Sequence, residues 1–243
     1  MSGGPLNESL IVDFTKYMNK IVMIDDAKGV AQPGVYYRDF ETATLARGRI
    51  MPAYTASKGI NAIGGMVGNN SGGEKAIKYG KTERYIRRQK AVFADGNEYE
   101  IKPLTKDELD AKMKQKNFEG KVYKELFALI DANYDAIQAA CPTVTKNSAG
   151  YYLWNVWDRE TDIFDLNKLI VGSQGTLALT TEVELGLVKV PKYSKMVVVF
   201  LPNIEKLGDI VDTIMQFEPE SFESYDDYSM KLAIKFAFED RKS

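Results

Sequence analysis

The chain has 243 residues, 44% hydrophobic and 27% charged, and a net charge of −2 at pH 7. This ordinary composition gives no electrostatic reason to expect nucleic acid or an anionic membrane. One cysteine, Cys141, excludes an internal disulfide, and the lack of histidine excludes Ser-His-Asp and Cys-His catalysis by these residues.

The opening MSGGPLNESL has neither the basic start nor the apolar stretch of a signal peptide. The longest apolar run, Met196 to Pro202, is too short to span a bilayer. A cytoplasmic setting without a transmembrane segment is expected. Leu10 to Phe14 and Ile21 to Ile24 are strand candidates, and the turn cluster at 25–29 leads to a third at Val30 to Gln32, halted by Pro33-Gly34. From Tyr36 to Ala46 apolar and aromatic residues recur at helical spacing, with Gly48 placed as a C-cap.

Next comes GGMVGNNSGG, Gly64 to Gly73, with five glycines, two asparagines and a serine in ten residues. Glycine reaches φ > 0 and lets another group approach bare main chain, and asparagine tolerates the left-handed region. Composition leaves two readings open: an elaborate surface turn, or a backbone cradle whose N–H groups meet a flat or phosphate-bearing ligand. It is not a P-loop, because Gly72-Gly73 is followed by Glu74-Lys75. Nor is it the dinucleotide fingerprint, whose opening glycine would fall at Ile63. As a cradle, the turn at Gly64-Gly65 and Asn69-Asn70 is expected to open onto the largest cleft, with main-chain N–H groups pointing into it.

Arg88 to Phe93, Asp95-Gly96 and Glu98 to Ile101 predict a hairpin, and Arg84, Arg87 and Arg88 a solvated face. Thr105 and Glu108 have capping-box spacing, opening a helical stretch to Ala140 with Val122, Leu126, Leu129, Ile130 and Tyr134 on one face. Cys141-Pro142 stops it. The polar segment 146–150 precedes an aromatic patch of Tyr151, Tyr152, Trp154 and Trp157. Asp165 to Ile170 is a short helix, and Gly172 to Thr176 leads into a β-rich run, Leu177 to Val190. Beyond Pro191, Met196 to Leu201 reads as an apolar strand and Ile204 to Phe217 as an amphipathic helix, with a further strand at Ser221 to Ser224 and helix at Met230 to Phe238. An unpaired strand there would invite a second chain, so a homo-oligomer is expected.

In order and spacing, several segments resemble the FAD-linked oxidases and dehydrogenases with a PCMH-type FAD-binding domain. They are similar in particular to the branch containing D-lactate dehydrogenases, the glycolate oxidase large subunit and D-2-hydroxyglutarate dehydrogenase. The carriers are Val30-Ala31-Gln32-Pro33-Gly34-Val35, Ala62-Ile63-Gly64-Gly65, Asn69-Asn70-Ser71-Gly72-Gly73 and Lys78-Tyr79-Gly80. Further on come Asn147-Ser148-Ala149-Gly150-Tyr151, Asp165-Leu166-Asn167-Lys168-Leu169 and Val171-Gly172-Ser173-Gln174-Gly175-Thr176-Leu177 with Thr181-Glu182. Gln174 stands where the family has glutamate, and Ala178 where it has glycine.

The resemblance implies an α+β fold: an FAD-binding domain lacking its first subdomain over 1–192, then the beginning of an α+β substrate, or cap, domain over 193–243. It implies FAD as cofactor, with contacts from Ser2, Gly3 and Gly4, then Ala62, Ile63, Gly64, Gly65, Asn69, Asn70 and Ser71, and finally Gly172, Gly175 and Thr176. It also implies a parent enzyme that takes a hydride from a small D-2-hydroxy acid and passes electrons to an acceptor the sequence does not name. The chain itself is expected to be an inactive fragment of that parent. The alternative is a non-catalytic core that holds flavin weakly or not at all. A UDP-sugar enolpyruvyl reductase, of related fold, fits the Asn147–Tyr151 and Asp165–Leu169 segments poorly.

Overall fold

A five-stranded antiparallel sheet organises the chain. The computed structural model describes residues 8, 11–144, 147 and 150–239. The strands β1 (Ile21–Ile24), β2 (Lys28–Ala31), β4 (Ile86–Val92), β5 (Glu98–Ile101) and β8 (Leu179–Gly186) lie in the order β1-β2-β8-β4-β5. The late strand β8 therefore sits between two early ones, pairing Val183 with both Ala31 and Gln89. Two ribbons complete the strand set: β3 (Arg49–Ile50) with β9 (Val188–Lys189), and β6 (Trp157–Asp158) with β7 (Ile163–Phe164).

The period-2 alternation of β8 separates the two faces of this sheet. Val183 and Leu185 are fully buried, while Glu182 and Glu184 join an ion ladder on the other side. In that ladder Arg88 lies 3.2 Å from Glu182 and 2.7 Å from Glu100, and Lys28 lies 3.0 Å from Glu184. The expected solvated arginine face is thus present, with Arg84 and Arg87 exposed beside it.

Two cores cover the apolar face. The first packs α1 (Tyr37–Leu45) and α2 (Ile63–Gly68) against β2 and β8 through Tyr37, Phe40, Ile63, Met66 and Val67. Gly29 admits Phe40 to the sheet, since a Cβ there would lie 2.6 Å from the ring. The second core joins α4 (Lys106–Met113), α5 (Phe118–Ala132), α6 (Tyr134–Ala139) and α7 (Asn167–Ile170) to the β4–β5 hairpin around Tyr123, Ile130 and Phe164. The aromatic patch belongs partly to this core: Trp157 stacks 4.8 Å from Phe127.

Several sequence expectations need correction. Of the strand expected over Leu10 to Phe14, Leu10 lies outside the described residues, residues 11–13 are irregular and Phe14 begins a turn. Leu129 is 49% exposed, because Tyr123 and not Leu129 shares the inward stripe with Ile130. Met196 to Leu201 and Ser221 to Ser224 form no strands. A strand exists only through a partner's ladder, and among the described residues nothing pairs with these segments. The oligomer contact drawn from that edge loses its strand. The two later helices are present as α8 (Leu207–Met215) and α9 (Asp227–Glu239), and α3 (Ala76–Tyr79) follows the glycine-rich segment.

The capping box at α4 is complete: Thr105 accepts from the Glu108 amide, and Glu108 accepts from the Thr105 amide at 3.0 Å. Lys102, 2.8 Å away, and the Thr105 amide hold the Glu108 carboxyl down to about 2. A carboxyl whose folded value is depressed contributes stability above its unfolded value and loses it as pH falls through the folded one. Wild type should therefore exceed Glu108→Gln in stability by a small margin above the ordinary value of 4.5, a margin that vanishes as pH falls to about 2. Urea unfolding across that range measures it; a constant difference at all pH values would refute the ion-pair account.

Candidate functional site

The glycine-rich segment folds as a short helix, α2, followed by a turn. Its start is set by the neighbouring extended chain: the Ile63 amide donates to the Val35 carbonyl and the Gly64 amide to the Pro33 carbonyl, both at 2.8 Å. The amides of the turn are committed as well. Asn69 donates to Gly65, Asn70 to Val67 and Ser71 to Met66. The expectation that the Gly64, Asn69 and Asn70 amides point into a cleft is therefore corrected. A helix forming across the two glycines, with a turn closing behind it, uses those donors internally. Nor does the segment border the groove of about 910 Å³, which lies between α4 and α5 near Met113 and Phe118.

The glycines divide into two kinds. A Cβ on Gly64 would sit 2.6 Å from the Pro33 Cβ, and one on Gly73 would sit 2.2 Å from the Tyr54 carbonyl oxygen. These two are glycines for packing. A Cβ on Gly65 meets nothing within 4 Å, and the same is true of Gly175. Bare backbone faces open space at those two positions. Each is exposed, as are Asn69, Gln174 and Thr176, whereas Ile63, Asn70 and Ser71 are buried and Ala62, Gly64 and Gly172 are half-buried.

The two segments named from the sequence come together. Gly172 donates its amide to the Val67 carbonyl at 2.9 Å and Gln174 donates to the Gly68 carbonyl at 2.8 Å. A Cβ on Gly172 would meet the Asn70 Cβ at 3.3 Å. Left-handed backbone gathers here: Asn70 at φ 44°, Gly172 at 85°, Gln174 at 53° and Gly175 at 77°. Residues held in this region cost free energy and persist where surrounding contacts fix them, often at ligand sites. Thr176 donates to the Ser173 carbonyl and its hydroxyl lies 3.0 Å from that of Tyr151. Ser2, Gly3 and Gly4 lie outside the described residues, as does much of the 145–149 segment.

Together with Asn70, side chains to which the sequence reading gave no contact role hold this junction. The Asn70 Oδ1 accepts from the Glu83 amide at 3.0 Å, while its buried Nδ2 has no hydrogen-bond partner. Thr82 donates to the Ser71 carbonyl from both its amide and its hydroxyl. Lys168 donates to the Glu83 carbonyl at 2.7 Å and lies 4.0 Å from Asp165, whose carboxyl burial pushes up. Lys81 is buried, bonded to the Asn147 carbonyl and 5.2 Å from the Tyr152 ring centroid. Lysines next to a glycine turn (Lys78-Tyr79-Gly80-Lys81) were the available signal, but charge at such places usually reads as surface. On the far side, Glu220 accepts from Tyr79 at 3.0 Å and pairs with Lys75 at 3.3 Å, tying the C-terminal layer to α3. Among the described residues no cluster of carboxylate and cysteine ligands could hold a metal, and no helix is long and apolar enough to cross a membrane.

Two exposed stretches of bare main chain, an orphaned buried amide donor and left-handed backbone between them fit a large flat ligand carrying carbonyl and phosphate oxygens. Residues 1–102 match the FAD binding domain family. The chain is 25% identical over 234 residues to D-2-hydroxyglutarate dehydrogenase of Escherichia coli (strain K12), covering 96% of this chain and 23% of that protein. It is 28% identical over 213 residues to the glycolate oxidase subunit GlcD of Bacillus subtilis (strain 168), covering 87% of this chain and 34% of that one. Among solved structures, alkyldihydroxyacetonephosphate synthase aligns at 18% identity with a TM-score of 0.44, over 72% of this chain and 22% of that one. The chain thus spans about a quarter to a third of the two curated relatives' lengths. Over most of its length the chain is similar to FAD-linked oxidases and dehydrogenases, and the FAD binding domain matched over residues 1–102 supports FAD as its cofactor.

Proposed function

We propose that these residues form part of the FAD site of a dehydrogenase or oxidase that oxidises a small D-2-hydroxy acid, such as lactate or glycolate. The observation that carries the cofactor side is the paired openness of Gly65 and Gly175 on two segments bonded to each other. In this reading Gly65, Asn69, Gly175 and Thr176 lie against the cofactor, and the free Asn70 Nδ2 supplies a donor toward it. Ile63, Gly64 and Ser71 support from behind, because their amides are committed to the chain itself. Bound FAD supplies the hydride acceptor. The substrate side rests on the named relatives, a D-2-hydroxyglutarate dehydrogenase and a glycolate oxidase subunit.

Hydride removal from an α-carbon also needs a base for the hydroxyl proton and a cation for the carboxylate. The side chains around the open glycines are amides and hydroxyls, and the nearby Lys168 is engaged with a carbonyl and a carboxylate. Turnover by this chain alone is not expected. Incubation of the purified chain with excess FAD, D-lactate and a dye acceptor tests this. Dye reduction should match a flavin-only control, and steady reduction above it would overturn the reading.

A second reading, a core that holds flavin weakly or not at all, is favoured by one observation. Five amides of the turn, from Ile63, Gly64, Asn69, Asn70 and Ser71, are already spent. Paired substitutions separate it from the first. Gly65→Ala fills no occupied space in the free chain and removes a helix-interior glycine, so stability should hold or rise by up to about 1 kcal/mol. Its FAD affinity should fall. Gly64→Ala drives a methyl into Pro33 and should destabilise by roughly 1–3 kcal/mol. Thermal unfolding and flavin fluorescence quenching measure the two effects; undiminished FAD binding by Gly65→Ala would favour the second reading.

A further inference from the structure

We propose that Lys168 is a positioning residue that closes a ring of contacts around the flavin cradle and holds its two segments in register. The proposal rests on the reading of those segments as the FAD site. Starting at Lys168 on α7, the ammonium donates to the Glu83 carbonyl at 2.7 Å. The Glu83 amide donates to the Asn70 side chain at 3.0 Å, and the adjacent Thr82 amide to the Ser71 carbonyl at 2.9 Å. Through Val67 and α2 the path reaches the Gly172 amide, which bonds Val67 at 2.9 Å and follows directly on α7. The ring returns to its start within five residues.

Chemistry favours lysine for this place. A half-buried ammonium on a flexible stem reaches across to a main-chain carbonyl, a bond strengthened by its charge. Asp165, buried and 4.0 Å away, lies just before the short helix α7 and balances that charge. Asp165 is itself fixed by the Asn167 amide at 3.0 Å and side chain at 2.8 Å. The carbonyl of Glu83 belongs to the turn Thr82–Arg84, which borders no regular ladder until Ile86 begins β4. Without Lys168 that turn keeps its Thr82 bonds to Ser71 but loses the anchor at the Glu83 carbonyl, which loosens the Glu83 amide that bonds the side chain of Asn70, a residue at φ 44°. Affinity should then fall because FAD must order what the ring had ordered beforehand.

The experiment uses the full chain with FAD itself, comparing wild type, Lys168→Met, Lys168→Arg and Gly65→Val by flavin fluorescence quenching and by thermal unfolding without FAD. Lys168→Met should bind FAD about tenfold or more weakly, with an apo unfolding temperature close to wild type, and Lys168→Arg should restore most of the loss. Wild-type affinity in Lys168→Met beside weakened Gly65→Val overturns the ring and leaves the cradle standing. Wild-type affinity in both overturns the cradle, and the ring with it. If arginine fails to rescue, or affinity falls only in step with apo stability, Lys168 is structural and the proposal fails. Should Lys168→Met not fold, hydrogen exchange on the unaltered chain decides: the amides of Thr82, Glu83, Gly172 and Gln174 should exchange as one unit and slow together on adding FAD, and independent exchange would refute the ring.

Discussion

Two main-chain hydrogen bonds, Gly172 to Val67 and Gln174 to Gly68, hold together the two segments proposed to meet the cofactor. They join segments more than a hundred residues apart in sequence, so neither half of the cradle exists as a surface until the chain between them has folded. That intervening chain is the β4–β5 hairpin and the second core, with Phe164 and Tyr123 fully buried at its centre. Helix α7 stands on that core through Leu169 and Ile170 and delivers Gly172 to α2. In the proposed site, cofactor binding would therefore be coupled to the second core, although no residue of that core need touch the flavin.

The same junction explains why glycine is so dense between residues 64 and 73. Two demands coincide there: α2 must lie flat against the chain at Pro33, and one of its faces must remain bare. Gly64 answers the first and Gly65 the second, while Gly73 lets the following turn close on the Tyr54 carbonyl. A cluster that reads as a single loop in one dimension is thus two surfaces back to back. Most donors of the segment serve the inner surface, and the outer one offers backbone and the exposed Asn69, with the unpartnered amide nitrogen of Asn70 buried beneath.

How much of this was legible in the sequence depends on the range of the interaction. The Asp95-Gly96 hairpin, the Thr105–Glu108 capping box and the helix ending near Gly48 follow from residues a few positions apart, and each is present. The bringing together of 62–71 with 172–176 came only from the family resemblance, because no local pattern announces a partner so far away. The internal use of the Gly64 and Asn69 amides was illegible for the same reason, since it depends on where Pro33 lies and on α2 forming at all. Met196 to Leu201 shows the opposite failure. Its β propensity is strong, but propensity describes a residue's fit to a pleated surface, and no neighbouring strand supplies one among the described residues.

Charge placement completes the picture. The chain's strongest ion network, around Arg88, sits on the sheet face remote from both cores, where solvent screens it and each pair contributes little. At the cradle the charges are few and turned inward, Lys81 toward the Asn147 carbonyl and Lys168 toward that of Glu83. In the proposed site, a cofactor between Gly65 and Gly175 would accordingly meet amides, hydroxyls and main-chain dipoles more than free ions. Dipoles fixed by backbone need little reorganisation when a ligand arrives, whereas long charged side chains would have to be ordered first. On this account affinity depends on holding the backbone still, and the inward-facing lysines act on the cofactor through the main chain that they restrain.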